Sequence, residues 1–175
     1  MSSNTDLYFF TATILEWKPL LRFDIYKDII ISSLKYLSDK ERIKVFAYVI
    51  MPNHIHLVWQ IVPDNNYSDI RRDFLKFTSQ AIKRDLNKNH PELLKEFYTG
   101  AKDRVYQLWE RNPLSIELVS QSVLEQKINY IHRNPIVPKW GLATELTDYR
   151  YSSARFYYEG KDEFGLVKSL DELGF

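Results

Sequence analysis

Apolar residues recur along this chain with two periods, and the switches between them outline its elements. Leu7 to Leu15 (Leu-Tyr-Phe-Phe-Thr-Ala-Thr-Ile-Leu) is rich in aromatic and β-branched residues and predicts a strand, which Trp17-Lys18-Pro19 breaks. Asp24 to Leu37 places Ile25, Ile29, Ile30, Leu34 and Leu37 close to a helical period. Ile43 to Ile50 predicts a second strand and His54 to Val62 a third; the turn at Pro52-Asn53 makes them a hairpin. A long helix capped by Ser68 or Asp69 runs to about Asn89, with Ile70, Phe74, Phe77, Ala81, Ile82 and Leu86 on one side. Pro91 to Phe97 continues as a short helix that Gly100 ends. Val105 to Trp109 and Ser115 to Val119 read as extended. Ser120 to Arg133 is helical, with Val123, Leu124, Ile128 and Ile131 apolar, and Asn134-Pro135 stops it because a residue before proline disfavours the α region. The order β-α-β-β-α-β, followed by a C-terminal helix, is the split βαβ, ferredoxin-like pattern. It is an α+β fold, an antiparallel sheet with helices on one face.

Composition narrows the class. With 175 residues, 45% of them hydrophobic, the chain reads as one domain with a substantial core. No repeat or linker divides it, and only the tail from about Gly160 is left unassigned. The absence of cysteine excludes disulfides, thiolate zinc sites and cysteine nucleophiles, and fits a reducing, cytoplasmic setting. Met1 to Asp6 is polar and lacks the basic and apolar regions of a signal peptide. No apolar run is long enough to span a bilayer. The net charge of +1 says nothing by itself about partners.

The most informative stretch is Met51-Pro52-Asn53-His54-Ile55-His56. Residues two apart on a strand share a face, so His54 and His56 project side by side while Ile55 turns into the core. Two parallel imidazoles can hold one divalent metal ion, or can simply pack. In the last helix, Tyr130 and Asn134 are four apart, within roughly 40° of each other on one face. A hydroxyl and an amide can thus be offered together. Each also has an ordinary reading: Tyr130 as one of 12 tyrosines, Asn134 as a helix cap before Pro135.

Taken together, these segments resemble a family. Met51-Pro52-Asn53-His54-Ile55-His56-Leu57-Val58 is similar to the HUH motif of single-tyrosine transposases. Tyr130-Ile131-His132-Arg133-Asn134-Pro135-Ile136-Val137 is similar to their tyrosine-helix motif, and Asp148 to Ala154 resembles the segment that often follows it. The form of the tyrosine motif points to the REP-associated branch of the insertion-sequence-200-like group. The resemblance implies a metal-dependent endonuclease and strand transferase acting on single-stranded, hairpin-bearing DNA. It implies that His54, His56 and Asn134 hold Mg²⁺ or Mn²⁺. It implies that Tyr130 attacks a phosphodiester, leaving a 5′-phosphotyrosine and a free 3′-OH. Nitrogen-rich neutral ligands suit Mn²⁺ better than Mg²⁺, which prefers oxygen. The family includes dimers and monomers, and both remain open here.

Cations and aromatics interleave near the tyrosine helix: Lys127, His132, Arg133, Lys139, Arg150 and Arg155 among Trp140, Tyr149, Tyr151, Phe156, Tyr157 and Tyr158. Cations track phosphates and rings stack on unpaired bases. Arg133, Arg150 and Arg155 are the candidate DNA contacts. His132, on another side of the helix from Tyr130, is carried with them as either a DNA contact or a packing residue. Two other classes compete. One is a non-catalytic nucleic-acid-binding module on the same fold. The other is a metallohydrolase pairing the histidines with a carboxylate, for which the histidine strand shows no nearby partner; Asp64, beyond the strand, reads as a turn residue.

Overall fold

A computed structural model describes residues 6–175. The polar start Met1-Ser2-Ser3-Asn4-Thr5 lies outside the described residues. Strand β1 (Leu7–Thr13) leads through two 3-10 turns to α1 (Asp24–Asp39); the hairpin β2 (Ile43–Ile50) and β3 (His54–Ile61) follows. Then come α2 (Tyr67–Asn89), α3 (Pro91–Lys95), β4 (Leu114–Glu117), α4 (Gln121–Arg133) and α5 (Ala154–Glu159). The sheet order is β2-β3-β1-β4 and every pairing is antiparallel. This is the split βαβ arrangement that the element order predicts.

Strands β1, β2 and β3 each contribute to two cores. Phe10, Ala12, Ile55, Leu57, Trp59 and Ile61 meet Ile30, Leu34, Ile70, Phe74 and Ile82 of α1 and α2 on one face. Leu7, Phe9 and Val58 meet Leu124, Ile128 and Ile131 of α4 on the other. The tyrosine helix therefore lies across the sheet from α1 and α2. Strand β2 serves both faces through a bulge between Val45 and Ala47. The extra residue, Phe46, shifts the alternation. Ile43 and Val45 face α1 and α2, and beyond the bulge Ala47 and Val49 face α4.

Several boundaries differ from those read in the sequence. Helix α2 is capped by Asn66, whose side chain accepts from the Asp69 amide at 3.1 Å, and not by Ser68 or Asp69. An Asn just outside the helix offers its carbonyl to the third amide inward, the ordinary capping geometry. Val105 to Trp109 forms no strand. Tyr106 and Trp109 make only isolated bridges, to Tyr98 and Ile14. This segment crosses the end of β1, where Leu15 N reaches Leu108 O at 2.8 Å, and β4 occupies the edge itself. Helix α4 ends at Arg133, as the sequence predicts, but the chain does not turn away there. Asn134 keeps helical dihedrals (φ −52°, ψ −48°) and begins a 3-10 turn, Asn134–Ile136, that accommodates Pro135. The steric bias against helical geometry before proline is overridden here, so Asn134 stays one turn beyond Tyr130. The tail also belongs to the fold. Val167 bridges Val45 and Ser152 bridges Val49, so the chain beyond α4 covers the β2 edge.

Candidate active site

The short turn Met51-Pro52-Asn53 is fixed on both sides. Pro52 O accepts from Leu21 N and Asn53 O from Ile14 N, each at 2.8 Å, and Met51 N closes on His54 O. Register then sets His54 opposite Thr13 and His56 opposite Thr11 on β1. Both imidazoles are buried on the face that α4 covers, with ring centroids 4.7 Å apart.

Each ring has one nitrogen fixed from outside. Asn53 donates Nδ2 to Trp17 O at 3.1 Å, so its Oδ1 faces His54 Nδ1 as an acceptor at 2.7 Å. His54 therefore carries its proton on Nδ1 and keeps the Nε2 lone pair. His56 Nδ1 shares a hydrogen bond with Thr11 Oγ1 at 2.7 Å, and its Nε2 is buried with no partner. Burial pushes His54 down to about 4, against a smaller upward contribution from its hydrogen bond to Asn134. Burial, then the neighbouring His54 and Lys127, push His56 down to about 3. Both rings are neutral at physiological pH.

Helix α4, capped by Ser120, presents Tyr130 and Asn134 to this pair. Tyr130 packs edge-on against His56 (5.1 Å, 68°) and Phe9 (6.2 Å, 74°), and about half of it is exposed. Asn134 is buried and bonded to His54. An open cavity of about 410 Å³ is bordered by His54, His56, Tyr130 and Asn134, with Arg133 and Lys139 as cations. Thr11, Trp17 and Trp140 complete its wall.

An unpaired, buried, neutral imidazole nitrogen is costly unless something takes its lone pair. His56 Nε2 is such an atom, and His56 borders the same cavity as His54 and Asn134. The donor set thus fits a divalent ion. Among the described residues no group of three or more His, Asp or Glu offers an alternative. The carboxylate-assisted reading through Asp64 gains nothing from this geometry.

The structure brings His54, His56, Tyr130, Asn134 and Arg133 to one cavity. It leaves the other candidates elsewhere. His132 is a correction to its listing with the DNA contacts. It is 2% exposed, and its Nε2 is bonded to Ser153 Oγ at 2.8 Å. Ser153 gives its own proton to Tyr48 O, so His132 is the donor in that bond. It is a packing residue on the far side of α4. Arg150 is held by Glu163 at 2.6 and 2.8 Å and stacks on Tyr151 and Phe164. Arg155 donates Nε to Thr147 O at 2.8 Å. Neither borders the Tyr130 cavity. Sequence reading passed over Thr11 and Lys139 as site residues and took Asn53 for a turn residue alone. Only the β1–β3 register could have shown Thr11.

Residues 17–134 match the family model described as "Transposase IS200 like". The chain belongs to the IS200-like transposase family. Its enzyme class is accordingly transposase. A Haemophilus influenzae protein assigned as a REP-associated tyrosine transposase is 31% identical over 152 residues, covering 84% of this chain and 78% of that protein. The fold is similar to that of a solved REP-associated tyrosine transposase bound to a REP hairpin. Against that structure the TM-score is 0.65 and the identity 17%, with 97% of this chain and 89% of that chain covered. Within the family frame, the motif histidines and the motif tyrosine are the residues that converge here. No helix among the described residues is long and apolar enough to cross a membrane.

Proposed function

We propose that this transposase is a metal-dependent single-stranded DNA endonuclease and strand transferase, with Tyr130 as its nucleophile. The observation that carries the reading is the packing of Tyr130 on His56, whose buried Nε2 lacks a partner, beside Asn134 bonded to His54. His54, His56 and Asn134 would hold Mg²⁺ or Mn²⁺, which when bound neutralises phosphate charge and polarises phosphorus. Tyr130 Oη attacks phosphorus and the bond to the 3′ oxygen breaks. The DNA is left as a 5′-phosphotyrosine and a 3′-OH, and the proton lost from the phenol is balanced by the one gained at the 3′ oxygen. Attack of a 3′-OH on the same phosphorus rejoins strands and restores the phenol. One phosphodiester bond replaces another, so no nucleotide cofactor is needed. Arg133, exposed at the cavity rim, pairs with a backbone phosphate. The relative solved with a REP hairpin supports hairpin-bearing DNA as the substrate.

The test is a covalent-adduct assay. The protein is incubated with Mn²⁺ and a labelled pool of single-stranded DNA hairpins, then run on a denaturing gel. A DNA-linked protein band is expected, and it should vanish with Tyr130→Phe, with His56→Ala and with chelator. Binding of the pool without any band points to a binding module on the same fold. A band that survives Tyr130→Phe assigns the nucleophile to another tyrosine.

A further inference from the structure

Trp17 sits where packing does not account for it, and Trp140, half-buried against the α4-side core, lines the same cavity. Glu16 and Trp17 are consecutive non-glycine residues in the left-handed region, at φ +54° and +58°. Such backbone persists only where its surroundings hold it. Here the Glu16 amide donates to Glu110 Oε1 at 2.6 Å, and Trp17 N donates to Ile14 O at 2.9 Å. Trp17 O accepts from Asn53, the residue that also fixes His54. This bracing does not bury the indole. Trp17 stays 60% exposed, on the wall of the Tyr130 cavity.

Trp140 approaches the same imidazole. Its ring centroid lies 5.6 Å from that of His54, and that of Trp17 lies 6.2 Å away. Lys139 Nζ stands 5.5 Å from the Trp140 ring centroid. Two indoles from distant parts of the chain thus flank one histidine at a cavity mouth. Next to His54 is His56, and against His56 is Tyr130. A strand whose phosphate lies at Tyr130 has a neighbouring base within reach of the indoles. Indole faces stack on unpaired bases whatever the base, and the two cations suit the flanking phosphates.

We propose that Trp17 and Trp140 form a stacking slot that takes one unpaired nucleobase beside the phosphodiester presented to Tyr130, an inference that rests on the single-strand nuclease reading. The slot selects an unpaired base over a paired one, because a base within a duplex has both faces covered. It thereby directs cleavage to an unpaired flank of a hairpin.

Equilibrium binding tests the slot apart from catalysis. Tyr130→Phe protein is titrated with two pools, hairpins with randomised unpaired flanks and the same hairpins with abasic flanks. Trp17→Ala and Trp140→Ala, each added to Tyr130→Phe, should weaken binding of the first pool about tenfold and leave binding of the abasic pool unchanged. Trp17→Phe should keep most of the affinity, which separates stacking from scaffold damage. Equal losses on both pools, or no loss on either, overturn the slot while adduct formation by the wild type leaves the nuclease reading standing. Failure of the protein to bind either pool, with no adduct, overturns both.

Discussion

Asn53 and Thr11 hold Nδ1 of His54 and His56, so each orients a ring, and Asn53 also sets the His54 tautomer. Such partners typically matter 10–100-fold in metal affinity. Asn53→Ala should weaken Mn²⁺ binding by about that factor in a calorimetric titration, and Thr11→Val should do so through His56. Unchanged affinity in both would show that packing alone orients the rings. His132 makes the opposite case. His132→Ala removes a donor from Ser153 within the core, and should lower stability by about 1–3 kcal/mol in urea while hairpin affinity of the folded protein stays the same. Arg133→Glu should instead weaken hairpin binding and leave stability nearly unchanged, since Arg133 is exposed at the cavity rim. The motif spelled out the histidines, Tyr130 and Asn134, because chemistry ties them to short fixed spacings. It did not reveal which arginines reach the site. Arg150 and Arg133 look alike in sequence; the fold sets them apart by placing Arg133 on the Tyr130 cavity and pairing Arg150 with Glu163.

At the scale of elements, alternation and helical period recover β1, the β2–β3 hairpin, α1, α2 and α4, because these bury long regular faces. The short α3 and β4 were also legible, α3 from Pro91 and β4 from the Ser115 to Val119 run, but α5 and the tail escaped. Helix α5 has six residues with a single one buried, and the tail meets β2 through one parallel bridge at Val167. The Phe46 bulge is also invisible to a period-two reading, since Val45 to Ile50 is apolar throughout. Deleting Phe46 would leave the rest of β2 on its own faces, since Val45 and Ala47 already pair with the adjacent Trp59 and Val58, but it removes a fully buried ring from the α4-side core and the carbonyl that accepts from Tyr157. The expected result is a loss of about 3–5 kcal/mol, the usual cost of a deleted core aromatic, with cooperative unfolding kept, read by urea denaturation. The cap of the tyrosine helix is a milder case. Ser120→Ala leaves the Val123 amide without its side-chain acceptor and should lower the urea midpoint by the equivalent of about 1 kcal/mol.

For the whole molecule, three buried histidines make stability depend on pH. His54, His56 and His132 titrate near 4, 3 and 4 when folded, all depressed by burial, against 6.5 when free. Above about 6.5 all are neutral folded or unfolded, and their contribution is constant. Below it the unfolded chain takes up protons that the folded chain refuses, so stability falls as pH drops toward about 4. Each histidine adds up to about 1.4 kcal/mol per pH unit in that window. Urea denaturation of metal-free protein at about pH 7.5 and about pH 5 should show the decline, and His132→Gln should flatten it. A flat profile would mean that these rings are not buried as described. Strand and helix order, the pairing of His54 with His56 and the turn from Tyr130 to Asn134 are all written in the local sequence. Those features follow from backbone periods and nearby spacings. The tertiary structure alone decided that α4 lies across the face bearing the histidines and that Thr11 and Asn53 hold their rings. It alone placed Trp17 and Trp140 beside one imidazole. These contacts join segments that are distant in the chain, and no local spacing encodes how a sheet orders its strands or which face a later helix covers.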